Sequence, residues 1–406
     1  MAGRVLHFRE TEYKLAPPLV PVPAMTQPSA LYFPCVEVAG SPRERGLAQG
    51  RAVPERVARS IALYRGELAK RNIDAATQDR LARRFVSVIA DFDSDYMEEL
   101  RGIAEGAGVP LEGVVTVNCR TEMMFGFKEA AHIHEKLEDG CTGVIALPSV
   151  TASGRLIHAH NWDWRQEAAD SSIVLRVRSE NGPDILTLVE AGGLARHGFN
   201  AAGVALTANF LACDRDFKSQ GVPLAVLRRK ILEQSNLAAA AKVPGTTRRF
   251  CSNNIMLSHA DGEALDFECV PDECFWIQPE DGLLAHSNHF ISPSARARVR
   301  DTYFGTNPDT LYRVTRVRDF LAARRGRIDY KDMVEALSDR YGFPDSVLRS
   351  PKPAAFDAIS ATVCMTVIDA KLGKMWIARK PYESIDFAEY SIAADTAARP
   401  VDQLAA

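Results

Sequence analysis

The apolar positions of this chain change rhythm once, near Gly140. From Cys35 to about Phe127 they recur at three-to-four spacing, as in PRERGLAQGRAVPERVARSIALYRGELAKR and DRLARRFVSVIADFDSDYMEELRGIAEGAG, which predicts a run of amphipathic helices. Gly106 and Gly108 followed by Pro110 mark a helix stop, and PLEGVVTVNCRTEM opens the next element with proline in its first turn. Beyond Gly140 the runs shorten and either alternate or stay aliphatic throughout. TGVIALPSV, RLIHAHNWDW, SIVLRVRSE, DILTLVEAG and AGVALTANF read as strands, with TASG and ENGP as turns between them. A helix in VPLAVLRRKILEQ follows, then strands through NNIMLSHADGEALDFECV, ECFWIQ and LLAHSNHF. Two further helices, PDTLYRVTRVRDFLAARR and YKDMVEALSDRY, precede a closing hairpin, TVCMTVIDAKLGKMWIAR. Helices, then many strands, then both again indicate an α+β fold with largely antiparallel sheets.

Composition narrows the function classes. With 46% hydrophobic and 25% charged residues over 406 positions, the chain can bury a sizeable core. Disordered, collagen-like and disulfide-stapled architectures are excluded on that balance. A net charge of −3, from 49 basic and 52 acidic residues, gives no bias toward nucleic acid or an anionic membrane. The opening MAGRVLHFRETEYKLAPPLV is broken by charge and proline and offers no signal-peptide apolar region. No run approaches the roughly 20 apolar residues of a membrane span, so the expected location is cytoplasmic. Residues 1–30, rich in proline, read as an N-terminal arm. The eight cysteines lie apart without a C-x-x-C pair, and Cys269 and Cys274 have the wrong spacing for zinc. No metal and no cofactor is expected, and most thiols should be small buried hydrophobes.

One segment carries candidate chemistry: DGCTGVIALPSVTASGRLIHAHNWDW, residues 139–164. Gly140 permits the backbone distortion that a side chain needs to attack the preceding carbonyl. Cys141 supplies a thiol, and cleavage of the Gly140–Cys141 bond would give that residue a free α-amine. An α-amine with a pKa near 8 can serve as the thiol's own base, so such a site needs no catalytic histidine. The dipeptide alone reads more readily as a glycine turn before a strand with an ordinary buried cysteine.

The wider text resembles the acyl-coenzyme A:isopenicillin N acyltransferase family of N-terminal-nucleophile hydrolases. CVEVAGSPRERGLAQG looks like that family's opening G-x-x-x-E-x-G-x-x-x-G segment, and ELRGIAEGAGVPLEGVVTVNCRTEM like its helix-turn-helix ending in N-x-R-x-E. GCT with NWDW, then NNIMLSHADGEALDFE, LLAHSNHF and DTLYRVTRVRDFL, follow in the family's order from about Cys35 to Pro381. The resemblance implies a four-layer αββα fold, a nucleophile at Cys141 and a scissile bond at Gly140–Cys141. It sets Asp163 near the new α-amine, where the alternative is a turn carboxylate accepting backbone N–H groups. Asn254 matches the oxyanion donor, with Asn253 as the rival one residue away. Arg313 falls where the family carries an arginine near the site, with Arg316 one turn on, and a solvated basic face is the other reading. His160, Asn161, Trp162, His286, Asn288 and His289 are pocket candidates, with a core role the alternative for the histidines. Asn118, Arg120 and Glu122 alternate as on one face of a strand or turn and suggest a buried ion pair. Two departures stand out: His160 where the family often has glutamine, and ARKP at 378–381 in place of a glycine.

The implied organisation is a mainly helical 31–140 and a catalytic 141–406 that stay associated after self-cleavage. The expected activity is amide hydrolysis or acyl transfer through a Cys141 thioester, on an N-acyl amino acid, small peptide or β-lactam side chain. An acyl-CoA-dependent transferase, an unprocessed papain-like hydrolase using His160 or His289, and a non-catalytic binding protein are the alternatives. A C-G-x-C-W signature, which the papain-like reading would favour, does not occur. The partner expected is a small amide, with acyl-CoA open; Arg228, Arg229, Lys230, Arg248 and Arg249 could meet its phosphates or form a solvated surface.

Overall fold

The computed structural model describes residues 32–126, 140–393 and 399–401 of the chain; the expected arm over 1–30 lies outside them. A short strand, β1 (Cys35–Val38), leads into α1 (Pro42–Ala52), which is closed by a capping box between Ser41 and Glu44. Next come α2 (Pro54–Lys70), α3 (Ala75–Phe92) and α4 (Ser94–Ala107). Asp74 caps α3 at the Thr77 N–H (2.8 Å), and α4 stops on Gly108 in the left-handed conformation, as the sequence predicts. The glycines of the opening segment have a packing reason. A Cβ on Gly46 would stand 2.0 Å from the Glu99 carbonyl oxygen, so α1 and α4 cross with their backbones nearly touching.

One expectation changes at the end of this helical segment. Asn118, Arg120 and Glu122 do not share a strand face; they close α5 (Leu111–Asn118) and open α6 (Arg120–Phe125). The β-branched run from Val114 to Val117 is buried on every side and so shows no helical period. Arg120 pairs with Glu190 (3.0 Å), while Glu122 accepts the Leu224 N–H (2.8 Å).

Among the described residues the remaining chain builds two eight-stranded sheets. The first runs β1, β4 (Ser172–Val177), β5 (Ile185–Glu190), β6 (His197–Asn200), β7 (Val204–Phe210), β8 (Asn253–His259), β9 (Ala264–Val270), β10 (Glu273–Ile277). Only β1–β4 is a parallel pair, and it stitches the helical segment into the sheet. The second runs β11 (Leu283–His286), β2 (Thr142–Ala146), β3 (Ile157–Arg165), β13 (Ile359–Asp369), β14 (Lys374–Arg379), β15 (Phe387–Ser391), β16 (Arg399–Val401). A two-residue strand, β12 (Lys352–Pro353), pairs with β13. Besides the short α7 (Ala168–Ser171) and α10 (Pro293–Arg298), helices cover both outer faces. α8 (Leu224–Leu232) and α9 (Leu237–Thr246) lie on the first sheet, and α11 (Asp309–Ala322) and α12 (Tyr330–Leu337) on the second. The order is αββα. Between the sheets pack Ile145, Leu156, Met256, Ala264 and Leu284, alongside a polar group described below. Among the described residues, no helix is long and apolar enough to cross a membrane, and no cluster of His, Cys, Asp and Glu could hold a metal.

Candidate active site

Cys141 sits where β2 begins, fully buried. The β2–β3 ladder pairs Thr142 with Asn161 and Gly143 with His160, and one further step sets Cys141 opposite Trp162. Because strand side chains alternate, Cys141 and Gly143 face the first sheet while Thr142 faces α11. Arg313 of α11 reaches that second side. Its Nη1 donates to the carbonyl oxygens of Gly140 and Cys141, both at 2.7 Å, and to Thr142 Oγ1 at 2.8 Å. Its Nε bonds Asp309 Oδ2 (2.8 Å) and its Nη2 bonds Asn288 Oδ1 (2.9 Å). Arg349 closes the other flank. A Cβ on Gly140 would lie 2.1 Å from the Arg349 Cζ, so this position accepts only glycine without a rearrangement.

Asp163 joins the same group from β3. Its Oδ1 accepts from Thr362 Oγ1 (2.6 Å), and its Oδ2 is 3.3 Å from Arg349 Nε. Its main-chain carbonyl oxygen lies 4.0 Å from Cys141 Sγ. Arg349 also pairs with Asp309, so Asp163, Arg349, Asp309 and Arg313 alternate in charge around the Gly140–Cys141 bond. Burial opposes ionisation of Asp309, but Arg313 and Arg349 hold its carboxyl below the ordinary range. Each buried charge is therefore compensated by a neighbour, which is the condition for keeping ions in a dry interior.

Asn254 belongs to the opposite sheet. A Cβ on Gly143 would meet Met256 Sδ at 2.4 Å, and His158 and His160 of β3 bond Thr207 (2.8 Å) and Asn209 (3.1 Å) of β7. β2 and β8 therefore run in the same sense across the gap, and two residues back from Gly143 and Met256 stand Cys141 and Asn254. Asn254 Oδ1 accepts from Asn209 Nδ2 (2.7 Å), and one of its own amide hydrogens goes to Asp266. A second amide hydrogen remains for another acceptor. Asn253 points the other way, accepting from Arg228 Nη2 of α8 at 3.1 Å. Burial pushes the Asp266 carboxyl up to about 7, and nearby His286 pulls it back only in part.

The other candidates divide by face. Asn161 donates to the carbonyls of Leu337 (2.8 Å) and Val347 (3.0 Å), anchoring α12 to β3 away from the thiol. His160 and Trp162 lie on the Cys141 face, fully buried. Burial depresses the His160 imidazole to about 3, so it is neutral. His286 bonds Glu268 at 3.0 Å; burial disfavours its charge, but Asp266 and Glu268 overrule that and raise it to about 9. Asn288 holds Arg313 and donates to the Phe210 carbonyl (2.9 Å), and His289 bonds Thr310 (3.0 Å). Arg316 is exposed, paired with Asp339 (2.5 Å), and takes no part. Arg228, Arg229 and Arg249 are buried, so these three are not the solvated surface offered as one reading; Arg229 binds Glu99 and Glu233 (both 3.0 Å).

Residues 150–380, more than half of the chain, match the protein family described as acyl-coenzyme A:6-aminopenicillanic acid acyl-transferase. The 40 kDa form of that acyltransferase from Emericella nidulans is 30% identical over 267 residues, 64% of this chain and 71% of the relative. The chain belongs to this acyltransferase family. Among solved structures, a C2A mutant of conjugated bile acid hydrolase from Clostridium perfringens aligns with 65% of the chain and 97% of its own, at TM-score 0.42 and 11% identity. Penicillin V acylase from Agrobacterium tumefaciens aligns with 63% and 92%, at 0.39 and 14%. The family match begins after Gly140 and Cys141, so the assignment of that bond rests on the residues themselves.

Several residues of this family member's site carry no local signal. Arg349, Asp309, Thr362, Asn209 and Asp266 come from five separate stretches and converge only in three dimensions. Asp309 and Arg313, at helical i,i+4 spacing, are the one pair that the sequence could have joined.

Proposed function

We propose that this acyltransferase-family enzyme is a self-processing cysteine amidohydrolase, with Cys141 as its nucleophile. In maturation, Cys141 Sγ attacks the Gly140 carbonyl carbon and the peptide C–N bond breaks. The resulting thioester is hydrolysed by water, leaving a free α-amine on Cys141. What carries the reading is the Arg313 guanidinium donating to the Gly140 carbonyl oxygen at 2.7 Å, where negative charge would develop. Gly140 wedged against Arg349 fixes the carbonyl in place. Since Cys141 is buried in the continuous chain, cleavage must also open the site.

In turnover, the α-amine takes the thiol proton, Sγ attacks the substrate's amide carbonyl, and Asn254 donates to the oxyanion. The α-ammonium returns its proton to the departing amine, and water then releases the acid. Asp163, held by Thr362 and Arg349, orients the α-ammonium beside it. The name of the Emericella relative pairs acyl-coenzyme A with 6-aminopenicillanic acid. Of the five basic residues offered for coenzyme A phosphates, Arg228, Arg229 and Arg249 are buried within the fold, and the second reactant proposed is water.

A panel of N-acylated amines, assayed with and without acyl-CoA for released acid, tests this. Wild type should release acid without acyl-CoA, Cys141→Ala should neither process nor turn over, and Cys141→Ser should process slowly at best. Turnover by Cys141→Ala would move the centre elsewhere, and an absolute need for acyl-CoA would make the enzyme a transferase.

A further inference from the structure

Cys269 and Cys274, wrongly spaced for zinc, meet across a hairpin. Pro271 and Asp272 join β9 to β10, and the ladder pairs Val270 with Glu273 and Cys269 with Cys274. Both are free thiols, and their sulfurs lie 3.2 Å apart. Residues paired directly across an antiparallel ladder stand about 4.5–5.5 Å apart at Cα, within the roughly 4.4–6.8 Å that a disulfide spans. Closing the sulfurs to a bond of about 2.05 Å therefore takes about 1 Å of movement and no change of register. β10 is the outer strand of its sheet, and Cys274 is half-buried there, whereas Cys269 is fully buried. Strand alternation turns Cys269 away from Glu268, the partner of Asn254 in the ladder, and so away from the gap that holds Cys141.

A cation is held beside the pair. Arg249, just beyond α9, donates its main-chain N–H to the Pro271 carbonyl in the hairpin turn (3.1 Å). Its Nη2 donates to the carbonyls of Pro244 (3.0 Å) and Thr247 (2.8 Å). Its Nε and Nη1 have no hydrogen-bond partner, although the residue is only 2% exposed. The nearest acids are committed elsewhere, Glu268 to His286 and Asp266 to Asn254. A buried charge needs a counter-charge, and the thiol pair is the group left to supply it. Burial disfavours a thiolate at Cys269, but the Cys274 S–H and Arg249 outweigh it, with Asp266 and Glu268 opposing, and its pKa falls below the ordinary thiol value. In Cys35, Cys119, Cys213, Cys251 and Cys364, by contrast, burial pushes the thiol up.

We propose that Cys269 and Cys274 form an oxidisable dithiol, a modification site that a hydroperoxide converts reversibly into a disulfide fastening β10 to β9. The proton shared across the contact moves from Cys274 to Cys269, which leaves the thiolate on the residue that solvent reaches. Cys274 Sγ attacks the terminal peroxide oxygen and the O–O bond breaks. The departing oxide takes the Cys269 proton and leaves as water or an alcohol. Cys269 Sγ then attacks the Cys274 sulfenic sulfur, the S–O bond breaks, and the hydroxide leaves as water with a proton from solvent. The two sulfurs together lose two electrons, which the peroxide gains. A dithiol reductant reverses the bond by exchange.

The test treats the reduced full-length protein with a small excess of hydrogen peroxide and follows each thiol by differential alkylation and peptide mass spectrometry. Cys269 and Cys274 should lose alkylation together, ahead of the five thiols that burial raises, in a peptide lighter by two hydrogens. Dithiothreitol should restore both. Arg249→Met should slow the linkage by about 10-fold, the effect of one pKa unit on the thiolate population, and Arg249→Lys should recover part of the rate. Cys274→Ser should abolish the light peptide. Equal or faster oxidation of the five buried thiols overturns the site, as does oxidation of Cys269 or Cys274 without linkage, or an unchanged rate in Arg249→Met. Should Arg249→Met fail to fold, the order of oxidation in wild type decides alone.

Discussion

At the scale of single residues, Asn254 and Asn253 pose the sharpest question. They are neighbours in β8, and strand alternation sends Asn254 toward the second sheet and Asn253 toward α8. Asn254→Ala should lower kcat by about 10²–10³ with KM little changed, because the proposed oxyanion donor acts only when charge develops on the carbonyl oxygen. Asn253→Ala should leave kcat near normal, and the reverse pattern would move the site by one residue. The partners that hold Asn254, Asn209 and Asp266, were invisible in the sequence because a buried polar residue declares its partner only through the fold. The same holds for Arg349, which reads as one more basic residue in a loop until Gly140 is found against it. His158 illustrates a second residue-level consequence. It is buried between Ser258 (2.9 Å) and Thr207 (2.8 Å), and burial lowers its pKa to about 3. A depressed folded pKa means that the unfolded chain binds the proton first. The stability this contributes is complete above about pH 6.5 and drains away as pH falls toward 3. Denaturant titrations of uncleaved Cys141→Ala should show the loss, and adding His158→Gln should flatten the slope by up to about 1.4 kcal/mol per pH unit. His160 and His289, also lowered to about 3, leave a residual slope; an unchanged slope would mean that His158 is not buried neutral.

At the scale of elements, the amphipathic helices α2 to α4 and the strands from β2 to β5 were legible because each hides one face or a short aliphatic run. What escaped lacked such contrast. The β-branched stretch of α5 is buried all round, and α9 contains Pro244, whose Pro-Gly step reads as a turn. β1 and β6, four residues each, are too short to establish a period. The α1–α4 crossing, in contrast, was written in the spacing of Gly46 and Gly50, though as a motif without a reason until the backbones were seen to meet. Gly46→Ala should destabilise the uncleaved chain by about 1–3 kcal/mol, since a methyl group has no space beside the Glu99 carbonyl. Gly66→Ala, in α2 with nothing within 4 Å of its Cβ position, should stabilise by about 0.5–1 kcal/mol. Chemical denaturation of both variants measures the difference, and a neutral Gly46→Ala would contradict so close a crossing.

At the scale of the whole molecule, the proposed cleavage point separates sequence that the fold has interlocked. β1 pairs with β4, and Tyr64, Arg120 and Gln49 from the helical segment bond Glu190 and the Gly192 N–H beyond the bond to be broken. Two pieces so joined should remain together once parted, with unfolding rather than dissolution as the route to separation. Around the bond itself, Arg313 and Arg349 press from two sides on a glycine and a buried thiol. The proposed cleavage gives that arrangement a role. Mass spectrometry with N-terminal sequencing of the purified, active protein tests this most directly. The account predicts two associated chains, residues 1–140 or a trimmed form of them and residues 141–406, the second beginning Cys-Thr-Gly-Val-Ile, and an intact single chain for Cys141→Ala. A fully active enzyme that remains one unbroken chain through Gly140–Cys141 would contradict it.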